Sequence, residues 1–288
     1  MKTLLALVNN PANSEGFIKY SAQMAEDMNH DLHLIYIQNP NMYILGAGSA
    51  VATSQPVAGE IDMARMEEEK KLALRSIEEK VEKISNDISS DVKIEISGET
   101  GALETVVNEM VAEGKADMLL LENQHEEGFW VTDTNAGLIL KANCPGWLIP
   151  PKARYESFKK IVYSTDYNPR DISTIKNLIE ITKNLSPEII MLHLNDESDE
   201  NVEKSGYKEK FADETGFDNI SVKSVKHDKE KGLAENINDI AINMDANLIV
   251  LLKENKNFFE RVFTSSETKK VIKKARLPLL VYHEKEFE

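Results

Sequence analysis

The strongest constraint on the fold is a repeat. A continuously apolar stretch, a polar turn, an amphipathic stretch and a second apolar stretch occur near the N-terminus and again past the middle of the chain. The first copy reads "TLLALV" (3–8), "NNPANSEG", "FIKYSAQMAEDM" and "DLHLIYI" (31–37). The second reads "KKIVYST" (159–165), "DYNPRD", "ISTIKNLIEITKNL" and "PEIIMLHL" (187–194). Strands that are apolar throughout, rather than at alternate positions, belong to parallel sheets covered by helices on both faces. The repeat continues. "VKIEISG" (92–98) and "ISVKSVKH" (220–227) read as third strands, followed by the helical stretches "ALETVVNEMVAEG" and "LAENINDIAINM". "DMLLLE" (117–122) and "NLIVLLK" (247–253) read as fourth strands. Each half closes with a strand after a proline, in "NCPGWLIP" (143–150) and "RLPLLVYH" (276–283).

The copies differ where residues 39–62, "NPNMYILGAGSAVATSQPVAGEID", interrupt the first as a long small-residue loop. Its "GAGSA" lacks the third glycine and the directly following helix of a dinucleotide fingerprint, so it reads as a surface loop or lid. A helix follows over 63–84, with Met66, Leu72, Ile77, Val81 and Ile84 as its apolar positions and i,i+3 and i,i+4 charge pairs toward water. The segment 150–158, "PPKARYESF", is proline-led and polar, which sets a boundary between domains at 1–150 and 158–288. Charge divides the same way. Residues 1–150 hold 11 basic and 24 acidic side chains, residues 151–288 hold 23 and 25. A net charge of −15 argues against a nucleic-acid backbone or an anionic membrane as partner. No apolar run is long enough to span a bilayer, and a single cysteine, Cys144, rules out an intrachain disulfide. Both point to a reducing, cytoplasmic setting.

The duplicated unit, with "KKIVYSTDYN" opening the second half and "DANLIVLLK" and "LPLLVY" closing it, resembles the universal stress protein family in tandem two-domain form. The resemblance covers nearly the whole chain. It implies an α/β fold of two tandem doubly wound domains, each an open five-stranded parallel sheet with helices on both faces. It also implies that the closing strands, at 146–149 and 278–282, pair with each other as an intrachain pseudo-dimer. ATP-binding members of that family carry an aspartate at the end of the first strand. Their later signature is glycine, two residues, glycine, nine residues, glycine, then serine or threonine. Such glycines let phosphates reach backbone N–H groups at the positive end of a helix. In the second half the resemblance places the aspartate at Asp166 and the signature at Leu252, Asn255 and Ser265, followed by Ser266. All three glycines are replaced, while the serines can offer a hydroxyl or simply cap a helix in "TSSE" (264–267). In the first half the aspartate becomes Asn9 and the glycine positions become Glu122, His125 and a site near Thr132–Asn135. Glu122 and Asp133 would repel a triphosphate.

Other chemistry finds little support. There is no glycine-rich, lysine-ending phosphate loop and no nucleophile elbow. His33 and His193 read as hydrogen-bonded core histidines, "HDKE" (227–230) as a solvated loop, and Cys144 as a small buried hydrophobe. Phe129 and Trp130, and in matching places Phe258 and Phe259, read as aromatics packed on the sheet edge or filling the room a nucleotide would take. The expectation is therefore a non-enzymatic cytoplasmic universal stress protein with a largely lost ATP signature. It would act through a protein partner, self-association through the closing strands, or stress signalling. The alternative keeps ATP with magnesium in the second half, on Asp166, Asn255, Ser265 and Ser266, as a switch or slow ATPase. A third possibility is another small ligand in the cleft at the strand ends, under the 39–62 loop.

Overall fold

The computed structural model describes residues 2–40, 62–88, 91–123, 137–139, 141–165, 167, 169–195, 207–253 and 276–283. The first half runs β1 (Thr3–Leu7), a 3₁₀ turn (Pro11–Asn13), α1 (Glu15–Met28), β2 (Asp31–Gln38), α2 (Met63–Ile84), β3 (Ile94–Thr100), α3 (Leu103–Ala112), β4 (Met118–Glu122) and β5 (Gly146–Ile149). The second runs β6 (Lys160–Ser164), α4 (Asp171–Ile181), β7 (Glu188–Asn195), α5 (Tyr207–Thr215), β8 (Ile220–Lys226), α6 (Leu233–Asn243), β9 (Leu248–Lys253) and β10 (Leu279–His283).

The ten strands among the described residues form one sheet, in the order β3-β2-β1-β4-β5-β10-β9-β6-β7-β8. Every neighbouring pair is parallel except β5 with β10, the expected closing strands, which meet antiparallel. The register repeats between halves. Thr3 pairs with Asp31 as Lys160 pairs with Glu188, and Leu5 pairs with Leu119 as Val162 pairs with Ile249. Gly146 and Leu279 stand in turn beside Leu119 and Ile249, so Trp147 and Leu280 are counterparts. They also pair with each other across the join. A pseudo-twofold axis therefore passes between Trp147 and Leu280.

The apolar runs become strands buried on both faces. In β4, Met118 and Leu120 point to one side and Leu119 and Leu121 to the other, all within core clusters. On one face the core is continuous across both halves, from Leu4 and Ile18 through Trp147 to Ile161, Leu178 and Tyr282. On the other face each half has its own cluster, under α3 and under α6. The segment joining the halves is not a tether in solvent. Phe158 is fully buried and stacks on Trp147, with centroids 5.3 Å apart. Tyr155 meets Tyr20 of α1 edge-on at 5.2 Å, and its hydroxyl donates to Asp27 Oδ2 at 2.9 Å.

One expectation needs correction. In α2 the apolar stripe is Met66, Ala73, Ile77 and Ile84, while Leu72 is 58% exposed. Position 72 lies well round the helix from the line through 66, 73, 77 and 84, so its apolar character does not carry it inside. The structure also contains α5, which sequence periodicity does not announce. It is held by Phe211, fully buried against the continuous core, with mostly charged residues around it. Asp62 caps α2 by accepting from the Arg65 N–H at 3.0 Å.

Candidate functional site

In the second half the chain leaves β6 toward β7 on one side, and β9 lies on the other. The reversal of strand order opens a crevice at the carboxyl end of β6, where ligands settle in open α/β sheets. The walls there are built from a buried polar network. Asp171, at the first position of α4, is 2% exposed. Its Oδ1 accepts from the Tyr163 hydroxyl at 2.7 Å, and its Oδ2 accepts from the Thr165 hydroxyl at 2.5 Å. The positive end of α4 favours the carboxylate. Burial, with Asp171 beside it, holds the Tyr163 hydroxyl well above its ordinary pKa, so it remains a donor.

Thr165 passes this order outward. Its Oγ1 accepts the Tyr167 N–H at 2.8 Å, and its carbonyl oxygen lies 3.1 Å from His193 Nδ1 on β7. Tyr167 has φ +67°, a left-handed conformation unusual for a residue with a side chain. Its ring sits 4.5 Å from the His193 ring, tilted by 36°. The equal register places Val8 opposite Thr165, Ala6 opposite Tyr163 and Ser14 opposite Asp171. In the first half Ser14 donates to the Pro11 carbonyl at 2.9 Å, and Ala6 and Val8 are core residues. The carboxylate network therefore belongs to the second half.

Residues 157–283 match the model of the universal stress protein family. This stretch is a universal stress protein domain. The whole chain shares its fold with a universal stress protein from Archaeoglobus fulgidus DSM 4304, at 12% identity and TM-score 0.66, covering 98% of this chain and 96% of that one. A protein of unknown function from Pseudomonas aeruginosa PAO1 is similar at 16% identity and TM-score 0.55, covering 98% and 92%. The cytoplasmic domain of a prokaryotic cation chloride cotransporter is similar at 11% identity and TM-score 0.55, covering 97% and 94%. No curated protein sequence matches the chain.

Within the universal stress protein domain, Leu252, which the sequence resemblance places at the first signature position, lies at the end of β9. It is 4% exposed and lies in the continuous core, paired in register with Tyr282. Asp166, Asn255, Ser265 and Ser266 lie outside the described residues, as do Phe258 and Phe259. So do His125, Phe129, Trp130, the stretch 132–135 and residues 41–61 of the long loop. In the first half, Asn9 and Glu122 are half-buried at the ends of β1 and β4. Gln38 is buried and donates to the Met66 carbonyl at 2.9 Å, tying β2 to α2.

His33 is buried, with Nε2 2.7 Å from Ser97 Oγ, as expected of a core histidine, whereas His193, hydrogen-bonded to the Thr165 carbonyl, is only half-buried at the end of β7. Cys144 is buried in the apolar cluster under α3. Asp228 to Glu230 are exposed, with Asp228 Oδ1 accepting the Glu230 N–H at 3.0 Å, whereas His227 is half-buried. Among the described residues no group of three or more His, Cys, Asp or Glu could hold a metal, and no helix is long and apolar enough to cross a membrane. Sequence reasoning picked out Asp166 but passed over Tyr163, Thr165 and Asp171. The available signal was an acidic residue in the first turn of a helix directly after a buried strand.

Proposed function

We propose that the chain is a tandem universal stress protein, with domains over 1–150 and 158–288, that performs no catalysis and works in the cytoplasm through protein contacts or stress signalling. The observation that carries this reading is Leu252. A leucine buried in the core at the first signature position leaves a side chain where phosphate-binding backbone would need none. Asn255 and Ser265 continue the replacement in sequence. The closing strands are already engaged with each other inside the chain, so a protein partner would use other surfaces. The net charge of −15 supports a partner other than nucleic acid or an anionic membrane.

A second reading keeps ATP with magnesium in the second domain, on Asp166, Asn255, Ser265 and Ser266. The hydrogen bonds of Thr165, which neighbours Asp166 in sequence, to Asp171 and from the Tyr167 N–H favour it. One experiment separates the two. Purified protein is denatured and the supernatant analysed for adenine nucleotide, and native protein is titrated with Mg-ATP. The leading reading expects no released nucleotide and no saturable binding up to millimolar ATP. Stoichiometric nucleotide would replace it with the second.

A further inference from the structure

We propose that Asp171 is the positioning residue of the second-half crevice: acting through Thr165, it imposes the left-handed turn at Tyr167 and so seats the Tyr167 ring on His193. The argument starts from the direction of each bond. The Asp171 carboxylate accepts from the Thr165 hydroxyl, so that hydroxyl has spent its one proton on Asp171 and presents lone pairs outward. Those lone pairs receive the Tyr167 N–H, two residues along the chain. A hydroxyl closing a turn over its own backbone stabilises conformations a bulky residue otherwise avoids, here φ +67°. Tyr163 occupies the other carboxylate oxygen and fixes the orientation of the group. His193, bonded to the Thr165 carbonyl, is held from the opposite side of the same residue. Thr165 thus sets the height of both rings, and Asp171 sets Thr165.

The first half supplies an internal comparison. With Ser14, Ala6 and Val8 at the matching places, it has the same strand and helix without the carboxylate or the threonine. The Asp171 network is therefore not required to build a strand-turn-helix of this kind. Its consequence is the shape of the crevice mouth. The ligand arm of the test below rests on the reading that a ligand enters this crevice; the ring arm does not.

The test uses the full chain and four variants. The imidazole signals of His193 are followed by NMR in T165V, D171S, Y167L and T165S, alongside the thermal midpoint of each. With its ring 4.5 Å away, Tyr167 is expected to shield His193 in the wild type. The proposal expects that shielding to vanish in Y167L, and equally in T165V and D171S, and to persist in T165S, which keeps the hydroxyl. T165V preserves side-chain volume, so it reports even if D171S does not fold. Unchanged His193 signals in T165V would overturn the proposal, as would loss of shielding in T165S at an unchanged midpoint. In parallel, Mg-ATP serves as the ligand probe. If the wild type binds it, T165V should weaken binding about tenfold, the ratio that 1.4 kcal/mol represents. If the wild type does not bind it, the ATP reading fails while the His193 signals still decide the positioning role.

Discussion

His30 follows the left-handed cap of α1 at Asn29 and is 6% exposed. Burial pushes its pKa below the ordinary 6.5, and the cations Lys2 and Lys183 push the same way, against a backbone bond at Asn29 and the charge of Asp117. The unfolded chain therefore takes up a proton first as pH falls, so the contribution of His30 is present above about 6.5 and fades below it. We expect the thermal midpoint to drop between pH 7 and 5, and His30→Leu to flatten part of that slope. His33, lowered mainly by burial, would keep the remainder. An equal slope in wild type and variant, read by calorimetry, would remove His30 from the account. The sequence reveals a histidine at position 30 but not its surroundings, since Lys2, Asp117 and Lys183 come from three separate parts of the chain. The crevice hides for a similar reason. Tyr163, Thr165 and Asp171 are close in sequence, yet only the shape of the turn between β6 and α4 brings them into contact.

Among the elements, β5 is tightly packed at its first residue. A side-chain carbon added at Gly146 would come within 3.1 Å of Ile139, which packs on it from the opposite face to Trp147. Gly146→Val should therefore destabilise by about 1–3 kcal/mol, as overpacking of a tight core does, with the loss read from denaturant midpoints. A neutral result would mean that the helical segment carrying Ile139 shifts freely. The strands were the legible elements, because runs such as "LLAL" and "MLLL" are apolar enough to need cover on both sides. α5 was not, because a helix with mostly charged residues around Phe211 carries almost no periodic signal. Leu72 misled in the opposite direction. An apolar residue that misses the buried stripe reads in sequence as though it belonged there.

For the whole molecule, the join matters most. Trp147 is fully buried on the pseudo-twofold axis, paired with Leu280 and stacked on Phe158. Trp147→Ala should cost about 3–5 kcal/mol, the usual range for removing a buried aromatic, and should lower the single unfolding transition of both halves together. Two separate transitions, with only one shifted, would show that the continuous core does not couple them. The antiparallel meeting of β5 and β10 has one more consequence. It turns the strand ends of the two halves in opposite directions, so their crevices open at opposite ends of the sheet. Because one chain supplies both strands of the seam, their meeting is a unimolecular event. Dilution cannot part the halves, and each molecule carries one of each face in fixed proportion, however few molecules are present.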